Sequence, residues 1–228
     1  MREVALDTET TGLDAQGGDR VIEIGAVELV NHVATGRTFH VYLNPERAVH
    51  PDAVAIHGLT DAFLADKPLF AQVADAFESF VGEAALVIHN ARFDMGFLNA
   101  ERARLGREPW PMARAVDTVA MARRRHPGAP ASLDALCKRY GVDNSGRTLH
   151  GALLDAQLLA EVYLALMGGR QRDFGLAAVA GATAGPQAWT PPPRPRPLAP
   201  RITEAERAAH EAFVATLGEA SLWRRAQT

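Results

Sequence analysis

Over the first forty residues the apolar positions come in short runs: REVALDT (2–8), RVIEIGAVELV (20–30) and RTFHVYL (37–43), parted by segments rich in Gly, Asn and Asp. Runs of this length, bounded by turn residues, predict three strands joined by hairpins. After the turn NPERAVHPDA the period changes, and Pro68, Phe70, Val73, Ala74, Phe77, Phe80 and Val81 recur three and four apart, which predicts a helix. AALVIHN (84–90) is continuously apolar, as expected of a buried parallel strand, and MGFLNAERARLG (95–106) resumes helical spacing. AVDTVAMARR (115–124) reads as a strand running into a helix. Ser132 and Gly141 bracket another helix, and LLDAQLLAEVYLALMGG (153–169) is a long amphipathic helix stopped by Gly168 and Gly169. Three hairpin strands followed by alternating helices and strands predict an α/β fold, a mixed central sheet flanked by helices.

Beyond Gly169 the texture changes. Residues 175–200 are rich in Ala, Gly and Pro without a sustained amphipathic pattern, so residues 1–169 are expected to form the domain and 170–200 a flexible linker. PPPRPRP within it is either a stiff spacer or a proline-rich ligand. In the remaining segment, 201–228, Thr203 and Glu206 have the spacing of a capping box, and Ile202, Ala205, Ala208, Ala209, Phe213, Val214 and Leu217 suggest a short helix. Such a helix cannot bury its apolar face alone, so it reads as a docking segment.

Composition narrows the class. With 47% hydrophobic and 22% charged residues the chain is globular, and its formal net charge of −3 argues against a broad basic surface for long nucleic acid. An enzyme gripping only a strand end needs no such surface. The single cysteine, Cys137, sits in a helical pattern and reads as a small buried side chain in a reducing compartment. No apolar run is long enough to span a membrane and the N-terminus does not have the pattern of a secretory signal, so a cytoplasmic protein is expected.

The chemistry begins at DTETTG (7–12). Strand side chains alternate, so Asp7 and Glu9 project from one face with Cα atoms roughly 6.5 to 7 Å apart. Two acids there repel unless the face is solvent or a cation lies between them. HNARFD (89–94) delivers Asp94 at a helix start, and LHGALLDAQ (149–157) places His150 before a helix and Asp155 about one turn into it. If His150 were itself helical, the two would point roughly 140° apart around the axis; from the preceding loop its ring can reach the same cleft. Four acids and one histidine form a hard-ligand set suited to Mg²⁺ or Mn²⁺. Paired ions of this kind clamp an in-line phosphoryl displacement, and a histidine suits the base that such a reaction needs.

In this order and spacing DTETTG, HNARFD and HGALLDAQ resemble the three exonuclease motifs of the DEDDh family, over about residues 3 to 167. VIEIGAVELV, FHVYLNP, IHGLTDAFLADKP and SLDALCKRYGVDNS are similar to the proofreading members that accompany bacterial DNA polymerase III. The resemblance implies an RNase H-like fold and two-metal 3′-to-5′ removal of nucleotides. It implies that Asp7, Glu9, Asp94 and Asp155 hold two divalent ions, Mg²⁺ or Mn²⁺, with Asp7 bridging both, and that His150 is the general base; all five would be catalytic. Substrate contacts would come from Asp7, Glu9 and Asp155, from Thr10 and Thr11 (which a simple turn explains as well), and from Asp52, His57, Asn90 and Phe93, the last also a core candidate.

The implied partners are a single-stranded or frayed DNA 3′ end and the polymerase catalytic (alpha) subunit, reached through the C-terminal segment with Phe213, Leu222 and Trp223. A sliding-clamp peptide would fall at Gln171, Phe174 and Leu176, where Arg172 and Asp173 depart from the family's pattern. A small theta-like accessory subunit is also implied. An RNA-trimming relative and a polymerase-bracing scaffold are the alternatives; the tail disfavours the first and the five intact residues the second.

Overall fold

The structure, a computed structural model, describes residues 1–147, 149–169 and 202–217. Strand β1, Arg2–Thr10, alternates its side chains between two cores. Val4 and Leu6 face one, with Ile24, Leu86, Phe77 and Met95; Ala5 faces the other, with Val27, Val87, Leu159 and Val162. β1 pairs antiparallel with β2 (Val21–Val30), which pairs antiparallel with β3 (Val33–Tyr42). On its other side β1 runs parallel to β4 (Ala85–Ile88), and β4 to β5 (Ala115–Asp117), giving the order β3-β2-β1-β4-β5. Among the described residues β1 alone has both an antiparallel and a parallel neighbour, and it is thus central.

The second strand of the hairpin pair begins at Val33, four residues earlier than the pattern predicts. Asn31 and His32 take positive φ (51° and 70°), the geometry of a tight hairpin turn, and the first residues of β3 pair with β2 although they are exposed. Two short helices also lie between the start of that turn and the predicted helix: α1 (Pro51–His57), which overlaps the end of the turn, and α2 (Asp61–Leu64), where the pattern predicts no element. Their seven and four residues are too short for a periodic signal. Local chemistry forms α1 instead: Pro51 opens it, and Gly58, at φ 75°, closes it with its N–H on Val54 O.

Helix α3 (Phe70–Val81) and α4 (Ala91–Arg104) cover the first core; α5 (Thr118–Arg125), α6 (Leu133–Tyr140) and α7 (Ala152–Leu166) cover the second. Ser132 caps α6 by accepting from Ala135 N–H, Gly141 closes it, and Cys137 is a free, buried thiol as expected. The fold is therefore α/β and RNase H-like, a mixed sheet flanked by helices. The chain divides into two compact units, Met1–Leu176 and Ala177–Thr228. In the second, α8 (Glu204–Thr216) carries the expected capping box between Thr203 and Glu206, and none of its residues is buried. Among the described residues no helix is long and apolar enough to cross a membrane. The proline-rich stretch and Gln171, Phe174, Leu176, Leu222 and Trp223 lie outside the described residues.

Candidate active site

Because β1 alternates, Asp7 and Glu9 lie on the Ala5 side, where α7 packs, while Thr8 faces α4. Thr8 thereby meets Asp94 in the first turn of α4: its backbone N–H and its hydroxyl both donate to Asp94 Oδ1, at 3.1 and 2.8 Å. The helix is entered through Asn90, held at φ 67° in the left-handed region, which turns the chain from the end of β4 so that Asp94 points back at β1. Asp155 is in the first turn of α7, and His150 is in the loop before it, as the second of the two sequence readings requires. The His150 amide donates to Ile56 O at 3.2 Å, tying this loop to α1. Donor atoms of Glu9, His150 and Asp155 all fall within 4.8 Å of one another.

The approach of α7 depends on Gly25, the residue of β2 opposite Asp7. A Cβ there would lie 2.1 Å from the carbonyl carbon of Ala152 and 2.2 Å from Leu153 N, so only glycine lets the first turn of α7 lie on the sheet. A lone glycine inside a strand pattern is the signal that could have found it. Thr8 and Arg147 were also missed, since a threonine in a strand and an arginine in a loop carry no pattern of their own. Glu23 of β2, to which the sequence assigns no role, is buried opposite Glu9 and bonded to His40 Nε2 at 2.7 Å.

Crowding shapes the electrostatics. Glu9, Asp94 and Asp155 are 8%, 3% and 2% exposed. Burial, then the charges of Asp94, Glu9 and Asp155, lift the Asp7 carboxyl well above the usual range. Burial and the neighbouring Glu23, Asp155 and Asp94 push Glu9 up to about 8. Burial pushes Asp94 up to about 7 although the Thr8 hydrogen bonds oppose it. These are carboxylates in want of positive charge. The cation present is Arg147, whose Nε and Nη2 donate to Asp155 Oδ1 and Oδ2 at 2.6 and 2.7 Å.

A cavity of about 480 Å³ opens beside Glu9, lined by Thr8, Thr10, Leu13, Asp52, Ile56, His57 and Phe93 among others. His57, at the buried end of α1, accepts from Leu59 N–H at Nδ1 (3.0 Å), and its buried Nε2 has no hydrogen-bond partner among the described residues. Burial lowers its pKa. Phe93 serves both readings, packing on Phe97 and lining the cavity. The Asp52 side chain is 92% exposed at the rim. Thr10 and Thr11 are committed to the turn: Thr10 Oγ1 donates to Gly12 O (2.6 Å), Thr11 Oγ1 to Asp19 Oδ1 (3.0 Å), and Thr11 N–H to Arg20 O (2.9 Å). Asn90 is not brought to this cavity; it lines a separate one of about 550 Å³ with His89, Asp117 and Arg123. Phe213 is 61% exposed on α8.

The exonuclease family model RNase_T matches residues 4–163. The DNA polymerase III subunit epsilon of Rickettsia felis is 56% identical over 177 residues, covering 76% of this chain and 77% of the relative. The subunit of the same name from Escherichia coli K12 is 48% identical over 238 residues, covering 98% of this chain and 97% of the relative. Among solved structures, exonuclease X in complex with 5′ overhanging duplex DNA superposes with a TM-score of 0.57 at 29% identity, over 73% of this chain and 90% of that one. A likeness that continues past the exonuclease domain to both ends of the Escherichia coli subunit is one of family and not of fold alone: the chain belongs to the DEDDh-type 3′–5′ exonucleases, in the branch of the bacterial DNA polymerase III epsilon subunits.

Proposed function

We propose that this proofreading exonuclease hydrolyses the last phosphodiester of a DNA 3′ end with Asp7, Glu9, Asp94 and Asp155 holding two divalent ions, Mg²⁺ or Mn²⁺, and His150 as general base. The observation that carries the reading is the convergence of Glu9, His150 and Asp155, next to Asp7 and Asp94, whose carboxyls burial pushes above the usual range, as it does that of Glu9. The donor set fits: it is dominated by carboxylate oxygen, with one imidazole and no thiolate, as hard divalent ions prefer. Bound there, the ions would supply an acidified water and charge neutralisation at the attacking and leaving oxygens.

The chain's own residues supply the rest. Thr8 fixes the Asp94 carboxylate by two hydrogen bonds, so that its rotamer is set before substrate arrives. His150, with its side chain 48% exposed, can take a proton from water in the cleft and return it to solvent. The cavity bordered by Ile56, His57 and Phe93 offers apolar walls and one unpartnered imidazole nitrogen to a terminal nucleotide. A frayed, mismatched end enters such a cavity more readily than a paired one, because part of its unstacking is already done. The DNA held by exonuclease X, at 29% identity, supports the substrate class.

Delivery is by tether. The exposed apolar side chains of α8, Phe213 among them, would dock on the polymerase catalytic subunit, with Leu222 and Trp223 as further anchors. Residues 171–176 would touch the sliding clamp and a theta-like accessory subunit would complete the assembly, in the cytoplasm at the replisome. A tether of this kind raises the local concentration of the exonuclease at the primer end, which a chain of net charge −3 cannot do by electrostatic attraction.

The test is digestion of a 3′-mismatched primer-template by the purified chain with Mg²⁺, Mn²⁺ or chelator, beside an RNA oligomer of the same sequence. Metal-dependent loss of single nucleotides from the DNA 3′ end is expected. Preference for RNA, or no turnover with either metal, would overturn the reading.

A further inference from the structure

Hydrolysis does not call for a guanidinium inside a cation-binding carboxylate cluster, yet Arg147 stands there. Its side chain is 9% exposed. Nε and Nη2 donate to the two oxygens of Asp155 at 2.6 and 2.7 Å, Nη2 also donates to His150 Nδ1 at 2.8 Å, and Nη1 reaches Asp134 Oδ1 at 2.8 Å. Nη2 therefore bonds two of the three residues whose donor atoms converge. It stands in for a bound cation.

The same contact settles the state of the histidine. A guanidinium has donors only, so His150 Nδ1 must accept, and the neutral ring then carries its proton on Nε2. Neither ring nitrogen has a lone pair free for water. Nδ1 also lies 3.3 Å from Asp155 Oδ2, but with its lone pair turned to Arg147 it has no proton to donate there. While Arg147 is in place, the base is silenced by the group that neutralises its neighbouring acid.

We propose that Arg147 is the internal counter-ion of the metal-free site and is displaced when a divalent ion binds Asp155, so that metal loading and the release of His150 are one event. The proposal rests on the metal site proposed above. An ion such as Mg²⁺ takes carboxylate oxygens at about 2.0–2.1 Å, closer than any N–H donor, and repels a guanidinium on the same oxygens. Asp134 offers the way out: it already holds Nη1, and with its side chain 61% exposed it can keep the arginine at the surface. Without the plug, Asp155, itself 2% exposed, would stand beside Glu9 with no cation on either oxygen, which accounts for an arginine drawn into this cluster.

The experiment is titration of Mn²⁺ into metal-free wild type, Arg147→Gln and Arg147→Lys, reading free Mn²⁺ by electron paramagnetic resonance, with ¹⁵N spectra of the His150 ring as Mg²⁺ is added. Wild type is expected to bind Mn²⁺, Arg147→Gln about tenfold more tightly and Arg147→Lys in between, the order of effect that neighbours of metal ligands have on affinity. The ring nitrogens of wild type should shift on adding Mg²⁺, whereas Arg147→Gln should show much of that shift before metal is added. Equal or weaker Mn²⁺ affinity in Arg147→Gln, or a wild-type ring indifferent to Mg²⁺, would overturn the proposal. If Arg147→Gln does not fold without metal, Arg147→Lys decides by the same readings, since a single ammonium cannot bridge all three partners. Failure of wild type itself to bind Mn²⁺ is a separate result, and would overturn the metal site as well.

Discussion

Asp7 is held among like charges, and that position makes two opposite predictions from one substitution. Asp7→Asn removes a proposed metal ligand and should abolish turnover on a labelled single strand. It should also raise the melting temperature of the metal-free protein, because the carboxyl it replaces is destabilised by burial and by Asp94, Glu9 and Asp155. Near-normal activity, or a lower metal-free melting temperature, would count against the assignment. For His150→Ala the expected loss is about 10² or more in the chemical step, with Mn²⁺ and DNA binding largely kept. A variant that fails to bind DNA but has no separate chemical defect would assign the histidine to substrate contact.

The raised carboxyls also fix a pH dependence. Folded Glu9 titrates at about 8 and Asp94 at about 7, against ordinary values of 4.5 and 3.8, so the folded state holds protons that the unfolded state has lost. Their contribution to stability is complete below the unfolded values and is lost as pH rises through the folded ones. The histidines His57 and His89, whose pKa values are lowered by burial, are neutral in both states above about pH 7 and do not interfere there. Above the range of those histidines the metal-free melting temperature should therefore keep falling from about pH 7 to about 8, where the Glu9 contribution is exhausted, and Mg²⁺ should remove most of the fall; scanning calorimetry with and without chelator reads both. A flat metal-free profile would refute the raised values.

Between elements, the decisive contact is β2 against the first turn of α7. Gly25→Ala puts a methyl group into the backbone at Ala152 and Leu153, and should destabilise the protein by about 1–3 kcal/mol or more. Because that turn carries Asp155, turnover should fall further than stability alone explains, and metal affinity should weaken. The control is Gly96→Ala on the exposed side of α4, where a Cβ meets nothing within 4 Å; a glycine in a helix gains up to about 1 kcal/mol from that change. Denaturant melts with Mn²⁺ titrations separate the two. Equal behaviour of the two variants would show that α7 is not seated by Gly25.

For the whole molecule the prediction concerns the tether. Removing residues 201–228 should leave hydrolysis of short single strands intact and abolish capture of the polymerase catalytic subunit in a pull-down. A retained complex would refute the docking role of α8 and the residues after it. Addition of salt should weaken binding of a short strand only modestly, since a chain of net charge −3 holds a strand end by shape and metal more than by a basic field.

The sequence alone determined the order of the five strands and of the longer helices, though not the short α1 and α2, because alternation and helical periodicity are local, and it offered Asp7, Glu9, Asp94, His150 and Asp155 as candidates, because three motifs carry them within a few residues each. It could not determine what those residues meet. That Thr8 holds Asp94, that Gly25 admits α7, that Glu23 is buried opposite Glu9 and that Arg147 is paired to Asp155 are facts about residues from 8 to 128 apart in sequence, settled by packing. Asn90 illustrates the difference: it stands three residues from Phe93 in the same motif, yet the turn at φ 67° sends it to another cavity. Residue type sets the chemistry available, and only the tertiary structure sets distance, burial and therefore charge state, because these depend on which surfaces are closed to water.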